Sequence, residues 1–163
     1  MRIERHEQMA LNALIASLRS TCGRRAVGAI IERDGRVIST GYAGPPSGFP
    51  HCSQACMDEH KSTGCGKTIH AEANAIAYSA RHGISTEGAT LYCTLSPCKT
   101  CAGMIVSAGI SRVYYIEPYR DSSGLELLEK AAIPCEMINV NYAHLLNLLQ
   151  RFAYGDRALP LLE

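Results

Sequence analysis

Two short stretches carry residue types whose spacing can do chemistry. His70-Ala71-Glu72 and Pro97-Cys98-Lys99-Thr100-Cys101 together offer one imidazole, two thiols and a carboxylate. Three protein ligands on a zinc ion, with the fourth position left for water, make a catalytic rather than a structural site. His70, Cys98 and Cys101 supply that set. Zinc with two thiolates and a neutral imidazole is formally neutral, so ionising the water releases a proton, and Glu72 is placed to take it. A carboxylate that takes a proton from water can pass it to a ring nitrogen and then to an amine leaving group. That sequence amounts to hydrolytic deamination of an amino-substituted base.

The local elements have to present these groups. Residues two apart on a regular helix do not share a face, so the metal is expected off the first turn of a helix, where His70 and Glu72 can both lean towards it. Cys98 and Cys101 are three apart, on one side of a helical turn that Pro97 suits for opening. A helix N-terminus and a cation both favour thiolate over thiol. Alone, Cys-x-x-Cys also fits redox chemistry or none, and His-Ala-Glu reads as the start of a surface helix. The specificity lies in the combination of His-x-Glu with Pro-Cys-x-x-Cys, the pattern of zinc nucleobase deaminases.

The 163 residues suit one domain, 1–163, with one sizeable core. Sixteen Lys and Arg against fifteen Asp and Glu leave a net charge of +1 and no basic run. That balance opposes a protein whose affinity comes mainly from nucleic-acid phosphates. With no Trp and two Phe, aromatic stacking falls to eight Tyr. Eight Cys in a chain whose first residues, Met1 to Gln8, mix acids and bases do not read as a secreted disulfide framework. The apolar run Ala10–Leu18 is too short to span a bilayer. A reducing, cytoplasmic compartment with no membrane attachment is the expectation.

Along the chain, periodicity predicts a helix over Ile3–Arg19 with Leu11, Leu14, Ile15 and Leu18 on its apolar stripe. A hairpin follows, Val27–Glu32 and Val37–Gly41, turning at Asp34-Gly35. Residues 42–50 form a Gly and Pro-rich loop, and His51–Lys67 a cysteine-rich connection. The helix bearing His70 and Glu72 is expected to reach His82, stopped by Gly83. Then come a buried strand Thr90–Thr94, the Cys98 helix to Gly109, a strand Arg112–Ile116, a helix Leu125–Ala132 and a strand Cys135–Val140. That alternation implies an α/β fold with a partly parallel sheet and helices on its faces. A last helix, Tyr142–Phe152, aligns Leu145, Leu146, Leu149 and Phe152. The apolar tail Ala158–Leu162 can fray, pack on its own core or dock on a neighbouring subunit. Cys93 and Cys135 read as small core residues in strands, and at least one of Tyr114 and Tyr115 as core. His6, His82 and His144 read as surface or helix-end residues.

From about Ser20 to Val140 the chain resembles the deoxycytidylate (dCMP) deaminases of the cytidine deaminase superfamily. The matching stretches are Val27-Gly28-Ala29, Gly41-Tyr42 with Gly44 and Gly48, His51-Cys52, His70-Ala71-Glu72, Leu95-Ser96-Pro97-Cys98 with Cys101, and Tyr115 with Tyr119. The zinc motif fits any superfamily member; the Gly-Tyr-x-Gly-x-Pro-x-Gly loop and the upstream cysteines favour dCMP. The resemblance implies a three-layer α/β/α sandwich with a five-stranded mixed sheet, zinc on His70, Cys98 and Cys101, and proton transfer by Glu72. It further implies a homohexamer and allosteric control by dCTP and dTTP, with Mg2+ accompanying such an effector. Where the family has Asn after Gly-Tyr, this chain has Ala43, which cannot hydrogen-bond through its side chain.

The resemblance also suggests a second, structural zinc, which Cys22, Cys52, Cys56 and Cys65 would close, with His51 or His60 as substitutes. Free or partly paired thiols in that connection are the alternative. A 5′-phosphate needs cations, and Arg24, Arg25 and Arg120 are the candidates. Tyr119 either stacks on the base or binds the phosphate, and Ala43 and Ala71 are further candidates for lining the substrate site. The leading expectation is conversion of dCMP to dUMP and ammonia, with 5-modified dCMP or dCTP as close variants. A deaminase of tRNA adenosine or single-stranded DNA is opposed by the charge balance. A metal-held interaction module would require loss of Glu72 or of a ligand, and neither is lost.

Overall fold

The computed structural model describes residues 3–52 and 66–154, with side chains through 151. Its elements are α1 (Arg5–Ser17), β1 (Gly28–Arg33), β2 (Arg36–Tyr42), α2 (Ala71–Arg81), β3 (Thr90–Leu95), α3 (Lys99–Ser107), β4 (Arg112–Glu117), α4 (Ser123–Lys130), β5 (Cys135–Met137) and α5 (Tyr142–Tyr154). The five strands lie in the order β2-β1-β3-β4-β5. β1 pairs antiparallel with both β2 and β3, whereas β3–β4 and β4–β5 are parallel. The mixed five-stranded sheet is thus the one the resemblance implies.

Strand alternation sorts the side chains into two layers. Ala29, Ile31, Leu91, Cys93 and Val113 face α2, α3 and α4, meeting Ala71, Ala75, Ala102, Ile105 and Leu128. Ile30, Tyr92 and Tyr114 face α1, meeting Met9 and Ala13. Helices therefore cover both faces, and β3, the central strand, is buried along almost its whole length, as a strand sandwiched on both sides has to be. Asp34 and Gly35 turn the hairpin with φ of 53° and 78°, the left-handed pair that a two-residue loop of this twist needs.

Three expectations are corrected. The stripe predicted for α1 is rotated: Leu11 is buried, but Ile15 and Leu18 are 63% and 79% exposed. The helix packs instead through Ala10, Ala13, Ala16 and Ser17. Small side chains let its backbone come so near β1 that a Cβ on Gly28 would stand 2.2 Å from the Ala13 carbonyl oxygen. Next, β5 ends at Met137 rather than Val140: Ile138 still donates to the Tyr115 carbonyl at 2.8 Å, and the chain then leaves the sheet so that Val140 packs on Ala10 and Leu11. Finally, in α5 Leu145 joins that cluster, but Leu146 and Leu149 are exposed, because α1 already occupies this face of the sheet. The Phe152 side chain and the tail Ala158–Leu162 lie outside the described residues. Among the described residues no helix is long and apolar enough to cross a membrane.

The helix that carries His70 and Glu72 is set by β2. A Cβ on Gly41 would fall 2.1 Å from the Ala71 carbonyl oxygen and 2.5 Å from the Ala75 nitrogen. The Ser39 hydroxyl donates to the Ala75 carbonyl at 2.7 Å, and the Asn74 amide donates to the Tyr42 carbonyl at 3.0 Å. Gly41→Ala is therefore expected to push α2 off the sheet and to destabilise the protein by about 1–3 kcal/mol. Gly103→Ala, in a helix with nothing near the new Cβ, is the control and should be neutral or stabilising. Denaturant midpoints of the two variants make the comparison.

Candidate active site

Two helices begin side by side, and each presents a ligand from the residue just before its first turn. His70 (φ −71°, ψ 154°) precedes α2 and Cys98 (φ −71°, ψ 168°) precedes α3, both extended and neither using its side chain to cap the helix. Their carbonyls accept the first helical bonds, from Asn74 at 2.9 Å and Ala102 at 2.8 Å. The side chains are left to face one another. The extended backbone of His70 also answers the spacing problem, since His70 and Glu72 need not share a helical face.

The geometry fits a zinc ion. His70 Nδ1 lies 3.5 Å from Cys98 Sγ and 3.6 Å from Cys101 Sγ, and all three donor atoms lie within 4.8 Å of one another. Tetrahedral zinc with ordinary Zn–N and Zn–S bonds separates nitrogen from sulfur by about 3.6 Å. Among the described residues this is the group of three that could hold a metal.

Burial dominates the electrostatics. The Glu72 side chain is 3% exposed. Desolvation pushes its carboxyl up to about 7, against its own backbone N–H and a hydrogen bond to Cys101 that favour the ionised form. The Cys101 thiol is also held far above the usual thiol range, by burial first, then by Glu72 and Cys98. Burial thus favours the neutral thiol at Cys101 despite its place in the first turn of α3, and a divalent ion opposes that preference.

Above this group opens a cavity of about 390 Å³, within the size range of small-molecule sites. His70, Glu72 and Cys98 line it, as do Arg24, Arg25, Ala43, Ala71, Tyr119 and Arg120. Every substrate-side residue assigned from the sequence is thus brought to one space. The three arginines are exposed at its rim. Arg25 forms an ion pair with Glu117, and the Arg120 guanidinium lies 5.7 Å from the centre of the Tyr119 ring. Ala43 is buried; its N–H donates to the Val27 carbonyl at 2.9 Å and its carbonyl accepts from Thr21 N–H and the Ser20 hydroxyl. That position accordingly offers the cavity a methyl group.

Sequence reasoning gave no role to Glu117, Asn74 or Ser96. Glu117 meets Arg25 across 92 positions, and no local pattern announces such a pair. Ser96 did carry a signal, its place beside Pro97-Cys98. Of the proposed second metal set, Cys22 and Cys52 are half-buried, and the Thr68 hydroxyl contacts Cys22 Sγ at 3.9 Å. Cys56, Cys65 and His60 lie outside the described residues, and His51 is exposed. Cys93 is buried as expected, its thiol directed at the Tyr114 carbonyl. Tyr114 is core and Tyr115 packs against the opposite layer. His6, assigned to the surface, also contacts the Tyr92 hydroxyl at 2.8 Å.

The sequence profile of the cytidine and deoxycytidylate deaminase zinc-binding region matches residues 3–117. ComE operon protein 2 of Bacillus subtilis is 43% identical over 137 residues, covering 82% of this chain and 70% of that protein. The deoxycytidylate deaminase of Enterobacteria phage T2 is 36% identical over 167 residues, 78% of this chain and 88% of its own. Among solved structures, the dCMP deaminase of cyanophage S-TIM5 in complex with dCMP and dUMP superposes with a TM-score of 0.76. It is 34% identical, over 85% of this chain and 99% of that one.

Replacing zinc by cobalt(II) should give thiolate-to-cobalt absorption. Cys98→Ala and Cys101→Ala are each expected to abolish the band from this centre and to lower the metal content by one ion per chain. Cys93→Ala, which removes a thiol directed elsewhere, should leave both unchanged.

Proposed function

The chain belongs to the cytidine and deoxycytidylate deaminase zinc-binding family, and we propose from that premise that its reaction is hydrolytic deamination of dCMP to dUMP with release of ammonia. The observation that carries this reading is a buried carboxyl beside a His/Cys/Cys metal group, at the floor of a cavity rimmed by arginines. His70 Nδ1 and the sulfurs of Cys98 and Cys101 would hold the zinc. When bound, the ion brings the pKa of a coordinated water towards about 7 and so supplies a nucleophile at neutral pH.

Glu72 is the proton carrier. Its carboxylate takes a proton from the attacking water as oxygen adds to the ring carbon that bears the amine, and delivers it to ring N3. It then moves the remaining hydroxyl proton to the exocyclic nitrogen, which leaves as ammonia. Water and dCMP enter, dUMP and ammonia leave, and Glu72 returns to its starting state. Its burial beside the metal group keeps bulk water away from the carboxyl, so the protons it takes up can be passed to the base. Ala71 and Ala43 shape the floor, Tyr119 stacks on the base or binds the phosphate, and Arg24, Arg25 and Arg120 face the 5′-phosphate.

The same reading takes the chain as one domain, 1–163. It includes a structural zinc on Cys22, Cys52, Cys56 and Cys65, and the half-buried thiols of Cys22 and Cys52 support it. A homo-oligomer, a hexamer by family resemblance, has support in the exposed Tyr142, Leu146 and Leu149. Control by dCTP and dTTP with Mg2+ rests on the resemblance alone. Thiolate ligands need reduced cysteines, which supports a cytoplasmic setting.

Ammonia release over cytidine, deoxycytidine, dCMP, dCTP and 5-substituted dCMP tests the assignment, and dCMP is expected to turn over fastest. Preference for dCTP or a 5-substituted dCMP would move the reading to that variant. Glu72→Gln keeps the shape and loses the proton carrier; turnover should fall by about 10²–10⁴ with metal content retained.

A further inference from the structure

Residues 117–124 wrap the peptide that carries Cys98, and they touch it at three points. The Ser96 N–H donates to the Glu117 carbonyl at 2.9 Å. The Tyr119 N–H donates to the Ser96 hydroxyl at 2.7 Å. Gly124, in the first turn of α4, lies so close that a Cβ there would stand 1.9 Å from the Pro97 carbonyl oxygen. Ser96 is 3% exposed and lines the cavity. Tyr119 and Arg120 sit on this segment, and Arg120 is exposed at the rim.

We propose that Ser96 is a positioning residue whose hydroxyl, by holding the Tyr119 main chain, fixes Tyr119 and Arg120 in register with Cys98 and so sets recognition of the nucleotide phosphate. The proposal rests on the reading that Arg120 meets the 5′-phosphate. Of the links named, the hydroxyl is the one that a side-chain substitution removes. Ser96→Ala keeps the main-chain bond to Glu117 and the Gly124–Pro97 contact, so the zinc-bearing peptide stays where it is. What it loses is the acceptor for Tyr119 N–H, at the root of the two residues that reach the mouth. Arg120 ends several bonds further out, so a small shift of its backbone becomes a larger displacement of the guanidinium. The residue therefore bears on substrate capture, and the proton path through Glu72 is untouched.

The test uses the full-length zinc-loaded chain as wild type, Ser96→Ala, Ser96→Thr, Arg120→Ala and the Ser96→Ala/Arg120→Ala double variant, with zinc content and steady-state kinetics on dCMP and deoxycytidine. Loss of one hydrogen bond predicts that Ser96→Ala raises KM for dCMP by about three- to tenfold, with little change in kcat. Its kcat/KM should fall several-fold further for dCMP than for deoxycytidine, its zinc content should match wild type, and Ser96→Thr, which keeps the hydroxyl, should restore the preference for dCMP. In the Arg120→Ala background the Ser96 substitution should add little, the non-additivity expected of residues acting through one contact. An equal loss on both substrates, loss of zinc, full additivity, or a Ser96→Ala chain that does not fold would each overturn the proposal by making Ser96 a structural residue. If Arg120→Ala leaves the preference for dCMP unchanged, the phosphate reading itself fails and takes this inference with it. If Arg120→Ala changes the preference and Ser96→Ala does not, the inference alone fails.

Discussion

One imidazole nitrogen and two sulfurs stand within reach of a single ion, and burial sets the charge of the groups around them. Burial disfavours the thiolate of Cys101 and the carboxylate of Glu72, and the Glu72 charge makes the Cys101 thiolate harder still to form. A divalent ion reverses the sign of the local field and lets both ionise. The two helix N-termini contribute in the same direction, but their partial charges are small beside the desolvation they would have to offset. The metal is therefore part of the electrostatic balance of the fold at this point, as well as a reagent.

Bringing two helix starts together is a problem of close approach, and the chain solves it with small residues. Gly41 lets α2 settle on β2, and Gly124 lets α4 settle against the Pro97–Cys98 peptide. On the other face, Gly28 and Ala13 do the same for α1. The sheet is thus clamped by helices at short range on both sides, and the buried alanines of α2, Ala71 and Ala75, belong to the same core cluster as Ile31 and Val113. Parallel pairing of β3 and β4 sends the loops after both strands to the same edge, where Ser96 and Tyr119 meet, the general location of ligand sites at the carboxyl ends of such strands.

This division explains what could be read from the residues alone. The Asp34-Gly35 turn, the stop at Gly83 and the alternation of strands with helices after residue 84 follow from local conformational preference, and all three are observed. The zinc group is legible because His-x-Glu and Pro-Cys-x-x-Cys, each ambiguous alone, occur together in this order. The packing face of α1 was not: periodicity weights Ile15 and Leu18 above Ala10, Ala13 and Ala16, whereas close packing selects the small ones. The end of β5 is hidden from a local pattern because Val140 is buried, but against α1 and away from the sheet. Long-range polar partners such as Arg25 with Glu117, or Asn74 with the Tyr42 carbonyl, leave no trace in a local window.

The distribution of charge in the cavity also decides how a nucleotide can lie in it. The floor holds Glu72 beside a metal group that is formally neutral with zinc bound; the rim holds Arg24, Arg25 and Arg120. A phosphate placed at the floor would meet a carboxylate in a desolvated space, where two unit charges about 4 Å apart cost roughly 4 kcal/mol even at an effective dielectric near 20. Placed at the rim, the same phosphate keeps part of its hydration and gains hydrogen bonds to guanidinium groups. The base, which can be neutral, is the end that tolerates burial beside Glu72. Ala43 has both main-chain groups engaged and offers a methyl, so under the proposed reading selection among nucleotides falls to the cations of the rim.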